Sequence, residues 1–150
     1  MIKPTGILHF AISVKDLERT KKFYTEILGC TYMRQNEDTA FFQVGEHFFV
    51  ATEMPGHVPP NPPGGSRLHH AFTIEGESFD QALEELEEKG VKVLLYEDKG
   101  HRTFTGRHAY IQDPDGNAIE LIDFHGMGGG DAPAFQGRKR RQQAGTGAKS

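Results

Sequence analysis

Apolar and polar positions alternate along this chain in two blocks that nearly repeat each other. His9-Phe10-Ala11-Ile12-Ser13-Val14 has the two-residue period of a half-buried strand. Leu17, Thr20, Tyr24, Ile27 and Leu28 then recur at helical spacing, predicting a helix over 17–28 with Asp16 as its cap and Gly29 as its stop. Strands are predicted at 30–35, 40–44 and 47–52, with Gly45 in the last turn. The second block starts at His69-His70-Ala71-Phe72-Thr73-Ile74. Ser78-Phe79-Asp80-Gln81 reads as a capping box before a helix whose stripe is Phe79, Ala82, Leu83 and Leu86 and whose stop is Gly90. Strands follow at 91–96, 108–112 and 118–124, the last two joined by Asp113-Pro114-Asp115-Gly116.

Each block is thus strand–helix–strand–strand–strand, and the spacing from histidine to glycine is 20 in the first and 21 in the second. One block alone buries too little, so the two should pack together around a concave surface. The expected fold class is α+β: two tandem βαβββ units forming a curved mixed sheet around a metal site, with the helices outside. The units span about 7–53 and 69–124 within a single domain, 1–125. They are separated by a linker, 54–67, whose five prolines exclude helix and central strand. Beyond it a Gly-rich basic tail, 126–150, is expected to be flexible.

Composition narrows the classes of function. Residues 126–150 carry Arg138, Lys139, Arg140, Arg141 and Lys149 against Asp131, a net of +4, which leaves −8 on the rest of a chain whose total is −4. An acidic body argues against nucleic acid as a partner. No apolar run approaches the ~20 residues that cross a membrane, and the single Cys30 forms no internal disulfide, so a cytoplasmic protein is expected. Homodimerisation is compatible with the paired-unit plan.

The repeat also points to chemistry. A lone strand histidine is ordinarily a core or surface residue, but His9 and His69 open equivalent strands and should converge across a pseudo-twofold axis. His70 alternates to the other face and aligns with Phe10. Glu120 lies among Ala118, Ile119, Leu121 and Ile122, where a carboxylate is costly to bury unpaired. Facing inward beside two imidazoles it has a reason to be there; on an edge strand it would simply face water. Two histidines and a carboxylate with positions left open suit Fe(II), while Mn(II), Zn(II) and Co(II) remain possible.

On these residues the chain resembles the vicinal oxygen chelate superfamily over about 7–124. That superfamily includes glyoxalases, extradiol dioxygenases, fosfomycin-modifying enzymes and bleomycin-binding proteins. The resemblance rests on the paired βαβββ units, the His9 and His69 strand starts, and Asp113-Pro114-Asp115-Gly116-Asn117-Ala118-Ile119-Glu120. Glyoxalase-type isomerases add a fourth acidic ligand; here 48–51 is apolar, and Glu53 beyond it is left as an open candidate. His101, Tyr110, Pro114, Gly116 and Glu120 are similar to the extradiol signature, with departures at Lys99 and Ala109.

That resemblance implies a ring-cleaving dioxygenase acting on a small catechol-like aromatic and O2, with Fe(II) on His9, His69 and Glu120. His57 and His101 would then handle protons, and Tyr110 would position the substrate. Phe42, Phe48, Phe72 or Phe104 would line the mouth, and Arg102 and Arg107 could pair with a substrate carboxylate. The alternatives are a glyoxalase- or fosfomycin-type metal-dependent isomerase or transferase, and a metal-free binding protein of the bleomycin-resistance kind.

Overall fold

The computed structural model describes residues 1–99 and 103–128. His101, Arg102 and the tail from 129 onward lie outside the described residues.

The first unit is β1 (His9–Val14), α1 (Leu17–Lys22), β2 (Thr31–Asn36), β3 (Thr39–Val44) and β4 (His47–Glu53). The second is β5 (His69–Thr73), α2 (Phe79–Glu88), β6 (Leu95–Lys99), β7 (Phe104–Gln112) and β8 (Ala118–Met127). Each makes its own four-stranded mixed sheet with the same topology, β1-β4-β3-β2 and β5-β8-β7-β6. The first strand of each unit runs parallel to the last, which requires the helical crossover between them. The α+β class and the twice-repeated βαβββ plan are as the periodicity indicates.

Local differences have local causes. Asp16 caps α1 by accepting from Arg19 N at 2.8 Å, but the helix widens into a π turn over Phe23–Ile27 that buries Phe23 and Tyr24. Ser78 makes no capping bond, because Gly76–Ser78 is already a 3-10 turn and Ser78 has helical dihedrals. The strand expected at 91–96 begins only at Leu95. Gly90 N and Val91 N turn back to Glu87 O and Leu86 O to close α2, and Val91 and Val93 pack against the core. At the other end β8 continues through Met127.

One core serves both units. Phe10, Ile12 and Val14 point one way along β1, and the same face of the sheet presents Phe42, Phe49 and Ala51. These merge with Phe79, Leu86, Ile111, Ile119 and Leu121 of the second unit. Phe10 stacks on His70, ring centroids 3.8 Å apart, so the two opening strands touch through their core-facing residues.

The Asp113–Gly116 turn does more than reverse the chain. Asp113 Oδ1 accepts from the backbone N–H of Asp115 and Asn117, while its Oδ2 accepts from Tyr24 OH at 3.0 Å across the unit boundary. Arg19 Nη2 donates to Asp115 at 2.6 Å, and Asn117 Nδ2 donates to Ser13 O at 3.1 Å. Burial pushes the Asp113 carboxyl above its usual range despite hydrogen bonds that pull the other way. Gly116, at φ 82°, makes this turn possible.

Candidate metal centre

Strand alternation gives the second sheet a face turned away from the core. His69, Ala71 and Thr73 stand on β5, Glu120, Ile122 and Phe124 on β8, and His108 and Tyr110 on β7. With Thr103 and Phe104 they line a cavity of about 610 Å³.

Glu120 is its hub. Tyr110, directly opposite in the β7–β8 ladder, donates its hydroxyl proton to Oε1 at 2.6 Å. His108 Nδ1 hydrogen-bonds the same oxygen, and its Nε2 lies 3.1 Å from the Phe104 carbonyl. Burial works to raise the Glu120 pKa, but the bonds from Tyr110 and His108 prevail and hold it below the usual carboxylate range. The other oxygen, Oε2, faces His69 Nε2 at 3.2 Å.

The His69 ring can be oriented from its second contact. Nδ1 lies 2.8 Å from the Ser66 carbonyl, which can only accept, so Nδ1 carries a proton and the ring, when neutral, has its lone pair at Nε2. That lone pair and a carboxylate oxygen repel at 3.2 Å unless a cation, a proton or a metal, lies against both. A histidine whose outer N–H is held by a carbonyl is also the usual arrangement of a metal ligand. The donor set therefore fits a divalent ion.

The other residues singled out in the sequence fall as follows. His9 is exposed on the corresponding face of the first sheet and does not line this cavity. Among the described residues no three His, Cys, Asp or Glu side chains of one chain are placed to hold a metal by themselves.

His57 is elsewhere. It is buried with Nδ1 accepting from Ser13 Oγ and Nε2 donating to Asp115 O, both at 2.8 Å, so it pins the linker to the two units and has no free nitrogen for proton transfer. Tyr110 is in the cavity, with its hydroxyl proton donated to Glu120. Glu53 shares the face of Phe49 and Ala51, opposite to that of His9, and Oε2 accepts from Leu17 N at 3.0 Å at the start of α1; it is not a fourth ligand.

Phe42 is fully buried in the core, Phe72 packs against it, and Phe48 lies on the first sheet, which leaves Phe104 at the cavity. Arg107 points to the opposite face from Tyr110. It lies over the Phe79 ring and pairs with Asp123 and Asp80, so it is not a substrate carboxylate site. His108 was not singled out from the sequence. The signal was present: it stands two residues before Tyr110 in a strand and so must share its face.

Comparison with known proteins agrees with this architecture. The family model described as Glyoxalase/Bleomycin resistance protein/Dioxygenase superfamily matches residues 6–121, and the chain belongs to that superfamily. It is 32% identical over 117 residues to the metallothiol transferase FosB of Staphylococcus epidermidis, covering 78% of this chain and 80% of the relative. It is 29% identical over 115 residues to the glutathione transferase FosA of Serratia marcescens, covering 75% and 77%. A crystal structure of the fosfomycin resistance protein FosX from Listeria monocytogenes, complexed with Mn(II) and sulfate ion, shares the fold. Its TM-score is 0.67 at 24% identity, covering 80% of this chain and 90% of that one.

These relatives overturn the expectation of a ring-cleaving dioxygenase and, with it, of an aromatic substrate and O2. The curated relatives named above are transferases, which gives no support to iron or to oxidoreductase chemistry. The geometry explains how the signature misled. Pro114 and Gly116 belong to the turn between β7 and β8, and Tyr110 pairs with Glu120 across that hairpin, so the spacing follows the fold, which hosts more than one chemistry. Among the described residues no helix is long and apolar enough to cross a membrane.

Proposed function

We propose that this chain is a divalent-metal-dependent transferase that opens the strained ring of fosfomycin, or of a related small epoxide, by adding a thiol. The observation that carries the reading is the His69 Nε2 and Glu120 Oε2 pair, two donor atoms 3.2 Å apart at the cavity. The likeness to a metallothiol transferase over most of both chains supports the reaction class.

In this reading His69 and Glu120 are two of the metal's ligands, and the ion is Mn(II), as named with the FosX relative. His9, the counterpart of His69 in the repeat, is the third and reaches the site from a second copy of the chain. Its exposure beside half-buried Phe41, Phe48 and Val50, on a sheet face that the core does not use, supports that assignment. An apolar face of this kind suits contact with Phe104 and Phe124 of the other sheet.

A metal held there supplies Lewis-acid polarisation of a substrate oxygen. A sulfur–carbon bond forms as the carbon–oxygen bond of the ring breaks, and the released oxygen takes up the proton the thiol loses. Water in place of the thiol would give a diol. Ile122, Phe104 and Phe124 give the cavity an apolar side, and the Thr73 and Thr103 hydroxyls offer donors to substrate oxygens. We place the protein in the cytoplasm, where small thiols abound and buried Cys30 stays reduced.

The test is incubation of the Mn(II)-loaded protein with fosfomycin and glutathione, cysteine or water alone, with products read by mass spectrometry. The expected product is fosfomycin plus one thiol, lost in Glu120→Gln and on chelation. Neither adduct nor diol from protein shown to hold Mn(II) would refute the proposal.

A further inference from the structure

Only one of the two Glu120 oxygens is available to a metal. Oε1 receives two hydrogen bonds, from Tyr110 OH at 2.6 Å and from His108 Nδ1. A carboxylate oxygen has two in-plane lone pairs, and both are taken. Neither donor is free to swing away. Tyr110 and His108 are 6% and 1% exposed, and the far nitrogen of His108 lies 3.1 Å from the Phe104 carbonyl within the same strand. The two side chains project from alternate positions of β7, one directly across from Glu120 and one on the diagonal, so the ladder sets their convergence.

We infer that His108 and Tyr110 form a clamp that makes Glu120 a one-oxygen ligand, through Oε2, and thereby keep one further coordination position of the metal open to substrate. His108 is a positioning residue in this scheme; it acts through Glu120 and need not touch the substrate. The inference rests on the proposed metal site but reaches beyond it, because that site could equally employ a carboxylate bound through both oxygens. One bidentate carboxylate in place of a monodentate one displaces one water from an octahedral ion.

The experiment counts waters on Mn(II) bound to the full-length protein, by pulsed electron–nuclear double resonance in oxygen-17 water. The variants are His108→Leu, Tyr110→Phe and the double variant, alongside His108→Gln, which retains an N–H donor. The expected result is one water fewer in the double variant than in the wild type, and the wild-type count in His108→Gln. Tyr110→Phe removes a single atom, so it carries the test if the double variant does not fold, with a fraction of the ions showing the lower count.

Unchanged water numbers in variants that bind Mn(II) would overturn the clamp while leaving the metal site standing. A wild-type protein that binds no Mn(II) would overturn both. A merely structural role for His108 would lower the melting temperature without altering the number of waters.

Discussion

Replacing His57 with alanine separates a structural role from a catalytic one. The side chain is 8% exposed and makes two hydrogen bonds, to Ser13 Oγ and to the Asp115 carbonyl, each 2.8 Å. Truncation removes both and leaves the Asp115 carbonyl without this donor in a buried turn that also carries the Arg19 and Asp113 contacts. The two lost bonds, with the penalty for an unsatisfied buried acceptor, come to about 2–4 kcal/mol. For a chain of this size each kcal/mol moves the midpoint by about 4 °C, so the expected fall in Tm is about 8–16 °C by circular dichroism or calorimetry. Turnover of the folded variant, measured well below its midpoint, should remain within about twofold of wild type, since His57 lines no part of the cavity around Glu120. A general acid or base contributes about a hundredfold to ten-thousandfold. A variant with an unaltered Tm and turnover down a hundredfold would therefore refute the placement of His57 as a pin.

Three further outcomes are expected. Gly106 has φ +129°, and a Cβ there would lie 1.8 Å from the Asp123 carbonyl oxygen, so Gly106→Ala should cost more than about 3 kcal/mol in thermal melts or fail to fold; Gly126→Ala, at φ +134° with open space, should cost about 1–2 kcal/mol. Tyr24→Phe removes the donor to Asp113 Oδ2, a bond across the two units, and should lower stability in urea titration by about 1.5–3 kcal/mol. Burial works to raise the Asp123 pKa, but His125 and Arg107 hold it below the usual range, so the carboxylate adds stability above the ordinary Asp value and loses it as pH falls through the lowered one. Asp123→Asn should thus cost about 1–3 kcal/mol at pH 7, and its melting curve should converge on wild type in strong acid.

The periodicities were sufficient for the order and type of the main elements, though not for all their bounds. Phe10, Ile12 and Val14 against His9, Ala11 and Ser13 is a two-residue alternation, and it separates the core face of β1 from its outer face without any knowledge of neighbours. The repeat likewise placed His9 and His69 at equivalent positions, and Glu120 on a strand of the second unit. What alternation cannot say is which faces meet. His57 looked like a loop histidine near a metal ligand, yet its ring is consumed by Ser13 and by Asp115, 44 and 58 residues away along the chain. Arg107 looked free to meet a substrate, yet Phe79 and Asp80, brought in on α2, hold it.

His108 shows the same division from the other side. Its position in β7 gives its face, but only the register of β7 on β8 puts it on the diagonal from Glu120, and only the carbonyl of Phe104 holds its far nitrogen. Sequence by itself determined the twice-folded βαβββ plan, because burying apolar side chains on one face of a strand or helix imposes a local period. Tertiary structure alone decided which polar groups share a site, because hydrogen bonds and ion pairs depend on distances between elements that local periods do not encode.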